Sequence, residues 1–280
     1  MRRRNGFTLI ELLVVISIIV LLMAILLPTL QRIKKQAKAV ACQSNLRQWG
    51  TIWATISLDN DGYFSYWRPG EPRPADLPAP GGWWGWWGPY GYWDKDLYDS
   101  TEGIRCCPMA TKLASPTGQS NPVGGTFLAW GRWNRGQWPW NGYGSYGINH
   151  WVYGWPYRNV RNRRHWTSLH VKGASNIPVH LDSCWPMGRV YDNQQPPPEH
   201  DAVPTASPTA SRPYWRNFCI NRHNGGINSL FMDWSVRKVG LKELWTLKWH
   251  AEFNTAGPWT KAGGVLPEDW PQWMRRFKDY

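Results

Sequence analysis

From Phe7 to Leu27 the chain runs for 21 residues with a single charge, Glu11. As a helix this run reaches about 31 Å at ~1.5 Å per residue, the thickness of a bilayer's hydrocarbon core. A soluble fold has no economical place for such a stretch, so the segment predicts a transmembrane helix over 7–27. The lone carboxylate adds a second constraint. A charge inside lipid is costly unless a partner compensates it, so Glu11 is expected to meet an opposite charge.

The flanks separate this segment from a secretory signal peptide, whose apolar region spans roughly 7–15 residues and ends at a small-x-small site. Here the run is longer, and the nearest such sites, Ala37-Lys38-Ala39 and Ala39-Val40-Ala41, lie beyond Arg32, Lys34 and Lys35. Gly6 stands instead at the front edge, after a short leader holding Arg2, Arg3 and Arg4. Charge alone does not orient the segment, because Arg32, Lys34, Lys35 and Lys38 follow it.

A basic leader, then Gly6-Phe7-Thr8-Leu9-Ile10-Glu11 and an apolar helix, resembles the type IV prepilin family, which includes the pseudopilins of type II secretion. The resemblance implies a leader of residues 1–6 and cleavage by prepilin peptidase between Gly6 and Phe7 on the cytoplasmic face. It also implies N-methylation of Phe7 and pairing of Glu11 with the Phe7 amine of a neighbouring subunit during assembly. Pro28 falls where pilin helices commonly kink, and a proline by itself removes one helix hydrogen bond. The implied location is the bacterial inner membrane, single-pass, with Met1 inside, everything after Pro28 outside, and possible export in a filament. Implied partners are the peptidase/methylase, other pilin or pseudopilin subunits and membrane lipid.

Beyond Pro28 the helix is expected to continue as a spine over 28–62. Cys42, Leu46, Trp49, Trp53 and Ile56 recur at spacings of four and three, an apolar stripe for a globular domain to cover. Asp59-Asn60-Asp61-Gly62 supplies residues that end helices. Residues 63–280 then form one extracytoplasmic domain, large enough to bury a core. Strands are expected at Thr126–Trp130, Tyr143–Ile148, Ile177–Asp182, Asn217–Asn221, Ile227–Met232 and Ser235–Val239. A short C-terminal helix opening at Pro267 would place Trp270, Trp273, Met274 and Phe277 on one face. The predicted fold class is α+β: a long N-terminal helix packed on an antiparallel β-sheet, with long loops rich in Trp, Gly and Pro.

Twenty-three tryptophans crowd these loops, notably Trp83, Trp84, Trp86 and Trp87, then Trp130, Trp133, Trp138 and Trp140. A tryptophan can fill a core, stack on a sugar ring or hold a base. Packing of loops onto the domain is the favoured reading, with a ligand-stacking surface or subunit contact as alternatives. The formal charge of +13, three units of it on the leader, would draw anionic lipid, polysaccharide or nucleic acid. An alternative function is therefore an anchored surface binding module for polysaccharide or DNA. DNA would use Arg132, Arg135, Arg161, Arg163 and Arg164 interleaved with Trp133 and Trp166.

Five cysteines occur, Cys42, Cys106, Cys107, Cys184 and Cys219, an odd count that leaves at least one unpaired. No Cys-x2-Cys pair recurs and adjacent Cys106 and Cys107 are poor joint ligands, so neither a metal site nor any other cofactor is expected. No nucleophile, zinc-protease or phosphate-loop motif is visible, and no catalytic residue is assigned.

A second resemblance lies downstream. His223 is followed by Asp233, similar to a prepilin-like family abundant in planctomycetes and their relatives, in which a His precedes Asp-Gly with nine residues between them. Cys42-Gln43-Ser44-Asn45-Leu46-Arg47-Gln48, Asp59-Asn60-Asp61-Gly62-Tyr63, Cys107-Pro108 and Ser145-Tyr146-Gly147-Ile148-Asn149 fit the same family in the same order. Trp234 departs from it, standing where the family has Gly. An Asp-Gly pair suits a two-residue type I′ hairpin, so here either the turn is longer or Trp234 opens the next strand. One intervening strand holds His223 and Asp233 roughly 30 Å apart when extended. Structural turn and cap roles are favoured for both over a partner or calcium contact, or catalysis. The chain is therefore read as a structural pilin or pseudopilin subunit of a type IV pilus or type II secretion system, and not as an enzyme.

Overall fold

The computed structural model describes residues 8–59, 61–62, 100–114, 123–131, 143–152, 164–166, 168–199 and 215–280. One helix dominates it. α1 spans Leu9–Asp59 without a break, 51 residues that extend about 77 Å at helical rise. Pro28 lies inside it and does not end it. The end comes where expected: the Gly62 N–H bonds the Ser57 carbonyl at 2.7 Å, and Asp61 and Gly62 take positive φ of 52° and 86°. That left-handed exit satisfies a terminal carbonyl and turns the chain away.

The helix has two halves. Residues 8–38 are exposed, with large apolar side chains from Leu9 to Leu30 facing outward on every side. From Cys42 onward one stripe is buried: Cys42, Leu46, Trp49, Gly50, Trp53 and Ser57. The expected stripe is confirmed, with Ile56 half-buried at its margin. Gly50 lets the helix approach the sheet closely, because a Cβ there would come within 2.9 Å of Leu230 Cδ1.

The sheet has five strands in the order β5-β3-β4-β6-β7: β3 (Tyr146–Asn149), β4 (Pro178–Asp182), β5 (Met187–Gly188), β6 (Gly226–Phe231) and β7 (Val236–Gly240). Pairing is antiparallel except for edge strand β5, which runs parallel to β3. β1 (Trp130–Gly131) and β2 (Tyr143–Gly144) form a separate small ladder. The segment read as one strand from Tyr143 is thus two. Ser145 divides it, its hydroxyl receiving the Cys107 N–H at 2.6 Å and its own N–H going to the Arg105 carbonyl at 3.1 Å.

Two other expectations are corrected. The strand proposed at Asn217–Asn221 is preceded and partly replaced by a helical turn, α2 (Trp215–Phe218), closed by the Cys219 N–H on the Trp215 carbonyl. The Asn217 carbonyl there serves Cys184 N–H and the Ser183 hydroxyl, so it is not free for a ladder. At the C-terminus a 3₁₀ turn at Pro267–Asp269 gives way to single turns rather than a helix. Pro271 lacks the N–H a continuing helix needs. Trp270 and Met274 are buried even so, with Trp273 and Phe277 packed beside them.

Strand β6 shows how the two cores are divided. Leu230 joins Trp49, Trp53, Tyr146 and Ile148 beneath the helix. Ile227 and Phe231 point the other way, into a cluster with Trp215, Trp245, Trp249 and Trp270. Trp215 stacks on Trp245 at 4.0 Å and meets Trp249 edge-on at 5.4 Å. The C-terminal tryptophans among the described residues are packing residues, each ring removing a large apolar area from water.

Candidate functional site

Two regions carry chemistry: the start of α1, and a buried polar cluster where the helix meets the sheet. Gly6 and Phe7 lie outside the described residues. Glu11 sits in the first helical turn, where its carboxylate accepts the Thr8 backbone N–H and the Thr8 hydroxyl, both at 2.8 Å. The Glu11 N–H returns to Thr8 Oγ1 at 3.3 Å. This is a capping box, Thr at the N-cap and Glu three residues on. The Thr8-x-x-Glu11 spacing was legible in the sequence but its local role was missed.

The buried cluster centres on Asp182, the last residue of β4. Its Oδ1 receives Arg222 Nη1 at 3.0 Å, while its Oδ2 receives the Asn228 backbone N–H at 2.8 Å and His223 Nε2 at 3.0 Å. Cys42, from α1, lies 3.6 Å from both carboxylate oxygens. Cys107, from the loop after a 3₁₀ turn, places its sulfur 3.4 Å from His223 Nε2. The donor atoms of Cys42, Cys107, Asp182 and His223 all lie within 4.8 Å of one another, and all four residues are buried. Adjacent Cys106 does not join this group and is only partly buried.

The surrounding groups are fixed as firmly. Arg222 spends its guanidinium on the carbonyls of Thr126, Ser145, Gly125 and Ser183 as well as on Asp182, which uses all five of its N–H donors. Tyr146 donates its hydroxyl to Cys42 Sγ at 3.3 Å, and the Met109 N–H approaches Cys107 Sγ at 3.5 Å. Each sulfur therefore has a polarised hydrogen aimed at it.

Electrostatics follow from this packing. Burial opposes the Asp182 charge, but His223 and Arg222 outweigh it and hold the carboxyl down at about 2. Burial likewise opposes a charged His223, and the Asp182 carboxylate outweighs it, raising the imidazole to about 9. Burial pushes the Cys42 thiol well up. Cys107 is also buried, but the Cys42 thiol donating to it, followed by His223 and Arg222, brings it down to about 7.

The signature pair is not brought together. His223 belongs to the cluster, whereas Asp233 is exposed in the β6–β7 turn and accepts the Ser235 N–H at 3.0 Å and its hydroxyl at 2.6 Å. The turn is the longer of the two forms considered: Phe231 N–H bonds the Ser235 carbonyl, Trp234 N–H bonds the Phe231 carbonyl, and Trp234 alone takes φ of 65°. A three-residue loop of this kind wants a left-handed residue at its last position, usually glycine.

Of the aromatic and basic residues proposed for a ligand surface, Trp83, Trp84, Trp86, Trp87, Trp133, Trp138, Trp140, Arg132, Arg135, Arg161 and Arg163 lie outside the described residues. Trp130 is buried and bonds the Tyr146 carbonyl at 3.0 Å. Arg164 pairs with Glu252 at 3.1 Å, and Trp166 bonds the Trp249 carbonyl at 3.1 Å.

Residues 1–27 match the model of the prokaryotic N-terminal methylation motif. The chain carries a prepilin methylation motif. Over 65 residues it is 40% identical to the Type IV wide pilus major component PilA4 of Thermus thermophilus, a stretch covering 23% of this chain and 50% of that protein. The chain thus spans about half the length of the curated relative it matches. No solved structure matches it. Motif, weak pilin likeness and exposed apolar helix together mark a pilin-like, membrane-anchored chain.

Proposed function

We propose that this chain is a prepilin-processed structural subunit of a type IV pilus or a type II secretion pseudopilus. The observation that carries the reading is the methylation motif at the head of a helix whose residues 8–38 are left uncovered among the described residues. An apolar surface of that length needs lipid before assembly and neighbouring helices after it. In this reading residues 1–6 are a leader removed between Gly6 and Phe7 by prepilin peptidase, and Phe7 becomes N-methylated. Residues 7–27 cross the inner membrane with the N-terminus cytoplasmic, 28–62 form the spine, and 63–280 face outward. Glu11, released from its Thr8 cap, pairs with the Phe7 amine of a neighbour, and Pro28 gives the helix its bend. In this reading the spacing of His223 and Asp233 supports membership of the planctomycete-type branch.

Mass spectrometry of the mature N-terminus in the native host tests this reading. N-methylated Phe7 is the expected result, with Gly6→Leu leaving the full-length precursor in the membrane. A mature chain starting elsewhere, Cys42 for example, overturns it.

A further inference from the structure

We propose that Cys42, Cys107, Asp182 and His223 bind a single zinc ion that staples the globular head to its helix. The proposal does not depend on which filament or machine the chain joins.

The donor set comes first. Two sulfurs, one imidazole nitrogen and one carboxylate oxygen suit zinc, a borderline-soft ion that takes tetrahedral N/S/O shells; the carboxylate disfavours cuprous copper, and the thiolates disfavour magnesium and calcium. Spacing agrees. Zinc bond lengths of about 2.0–2.3 Å in a tetrahedron put neighbouring ligand atoms about 3.3–3.8 Å apart. Cys107 to His223 is 3.4 Å and Cys42 to Asp182 is 3.6 Å. The edge from His223 to Asp182, at 3.0 Å, has to open by about 0.3 Å, and the longest separations in the set, up to 4.8 Å, have to close by about 1 Å on binding.

The supporting groups suit an ion as well. Binding replaces the His223 N–H on Oδ2 with the metal and leaves the Asn228 N–H and Arg222 bonds to the carboxylate in place. These are the orienting contacts that metal ligands commonly receive. The protons held by Cys42, Cys107 and His223 leave to solvent. Two thiolates and one carboxylate then carry three negative charges against the ion's two positive ones, and the buried Arg222 guanidinium neutralises the remainder. Tyr146 and Met109 aim hydrogens at the two sulfurs.

Position supplies the role. Cys42 is the first buried residue of α1, so it marks the point at which the helix enters the head. The other ligands come from a loop, the end of β4 and the turn that leads into β6. An ion there ties four distant segments at the neck of the molecule.

The test uses the untagged full-length chain in detergent, prepared without chelator. One zinc per chain by elemental mass spectrometry is expected. Replacement by Co²⁺ should give a thiolate-to-cobalt charge-transfer band and the visible bands of a tetrahedral site. Chelation should lower the Tm, and added Zn²⁺ should restore it. Cys107→Ala should abolish the thiolate band and stoichiometric zinc, while Cys219→Ala, outside the cluster, should keep both. Because Asp182→Asn also disturbs Arg222, the wild-type cobalt spectrum is the decisive readout. Substoichiometric zinc, a cobalt spectrum without thiolate bands, or a Cys42–Cys107 disulfide in the non-reduced peptide map overturns the proposal.

Discussion

Trp53 donates its indole N–H to His180 Nδ1 at 3.2 Å, joining the helix to β4 across 127 residues of chain. The acceptor role puts the His180 proton on Nε2 and keeps the ring neutral, and complete burial lowers its pKa to about 3. Trp49 covers the same ring with centroids 4.8 Å apart. Trp53→Phe retains an aromatic ring but removes this donor from a buried nitrogen. It should cost about 1–3 kcal/mol in denaturant unfolding of the full chain. A loss within error of zero would show that the bond contributes nothing net.

Trp234 sits at φ 65°, where a β-carbon is strained and glycine is not. It is also half-buried against the helix-side core, so both replacements lose packing. Trp234→Gly should therefore be more stable than Trp234→Ala by about 1 kcal/mol, the difference reporting the left-handed backbone alone. Equal unfolding midpoints would mean that the turn relaxes when the indole is removed.

The Thr8–Glu11 capping box separates two roles for one side chain. Glu11→Gln can keep the cap but not the charge, whereas Glu11→Leu loses both. If pairing with a neighbour's Phe7 amine drives assembly, both variants should insert, be cleaved and fail to enter filaments. Normal incorporation of Glu11→Gln, scored by immunoblot of sheared filaments, would assign Glu11 to helix capping only.

Three histidines around Trp151 set an acid limit on stability. Burial, then Arg189, lowers His165 to about 4, and the same two causes hold His150 well down. Burial, then Arg164, lowers His250 to about 4. The unfolded chain takes these protons near pH 6.5, whereas folded His165 and His250 refuse them until about 4, so stability should fall as pH drops across that window. The slope is at most about 1.4 kcal/mol per pH unit for each histidine. His250 rests among Trp151, Tyr191 and Phe253 with neither ring nitrogen hydrogen-bonded among the described residues. His250→Phe should accordingly lose less Tm between pH 7 and 5 than wild type. Parallel Tm curves would remove His250 from the account.

Much of the scaffold could be read from local pattern. The helix, its end at Asp61-Gly62, the stripe from Cys42 to Trp53 and the strands β4, β6 and β7 each follow from a period or a turn residue within a few positions. One failure was a local pattern overridden by longer-range bonds, the other a local proline overriding the spacing. Asn217 donates its amide to the Met187 carbonyl of β5 and accepts the Cys184 N–H and the Ser183 hydroxyl instead of joining a ladder, and Pro271 stopped a helix that its neighbours' spacing favoured.

The exposed part of α1, residues 8–38, is a matter of sequence alone. An apolar run with one carboxylate behind a basic N-terminal stretch dictates a membrane-length helix, because hydrogen bonding within a helix and the cost of burying charge are decided residue by residue. The cluster at the neck is decided only by tertiary structure. Cys42, Cys107 and His223 were visible as scattered signature residues and Asp182 as a strand end, yet no spacing linked them. They meet because α1 packs across β4 and β6, with Gly50 permitting the approach and Arg222 fixing Asp182 at the crossing. Convergence of that kind depends on the three-dimensional path of the chain between the residues, which local periodicity does not encode.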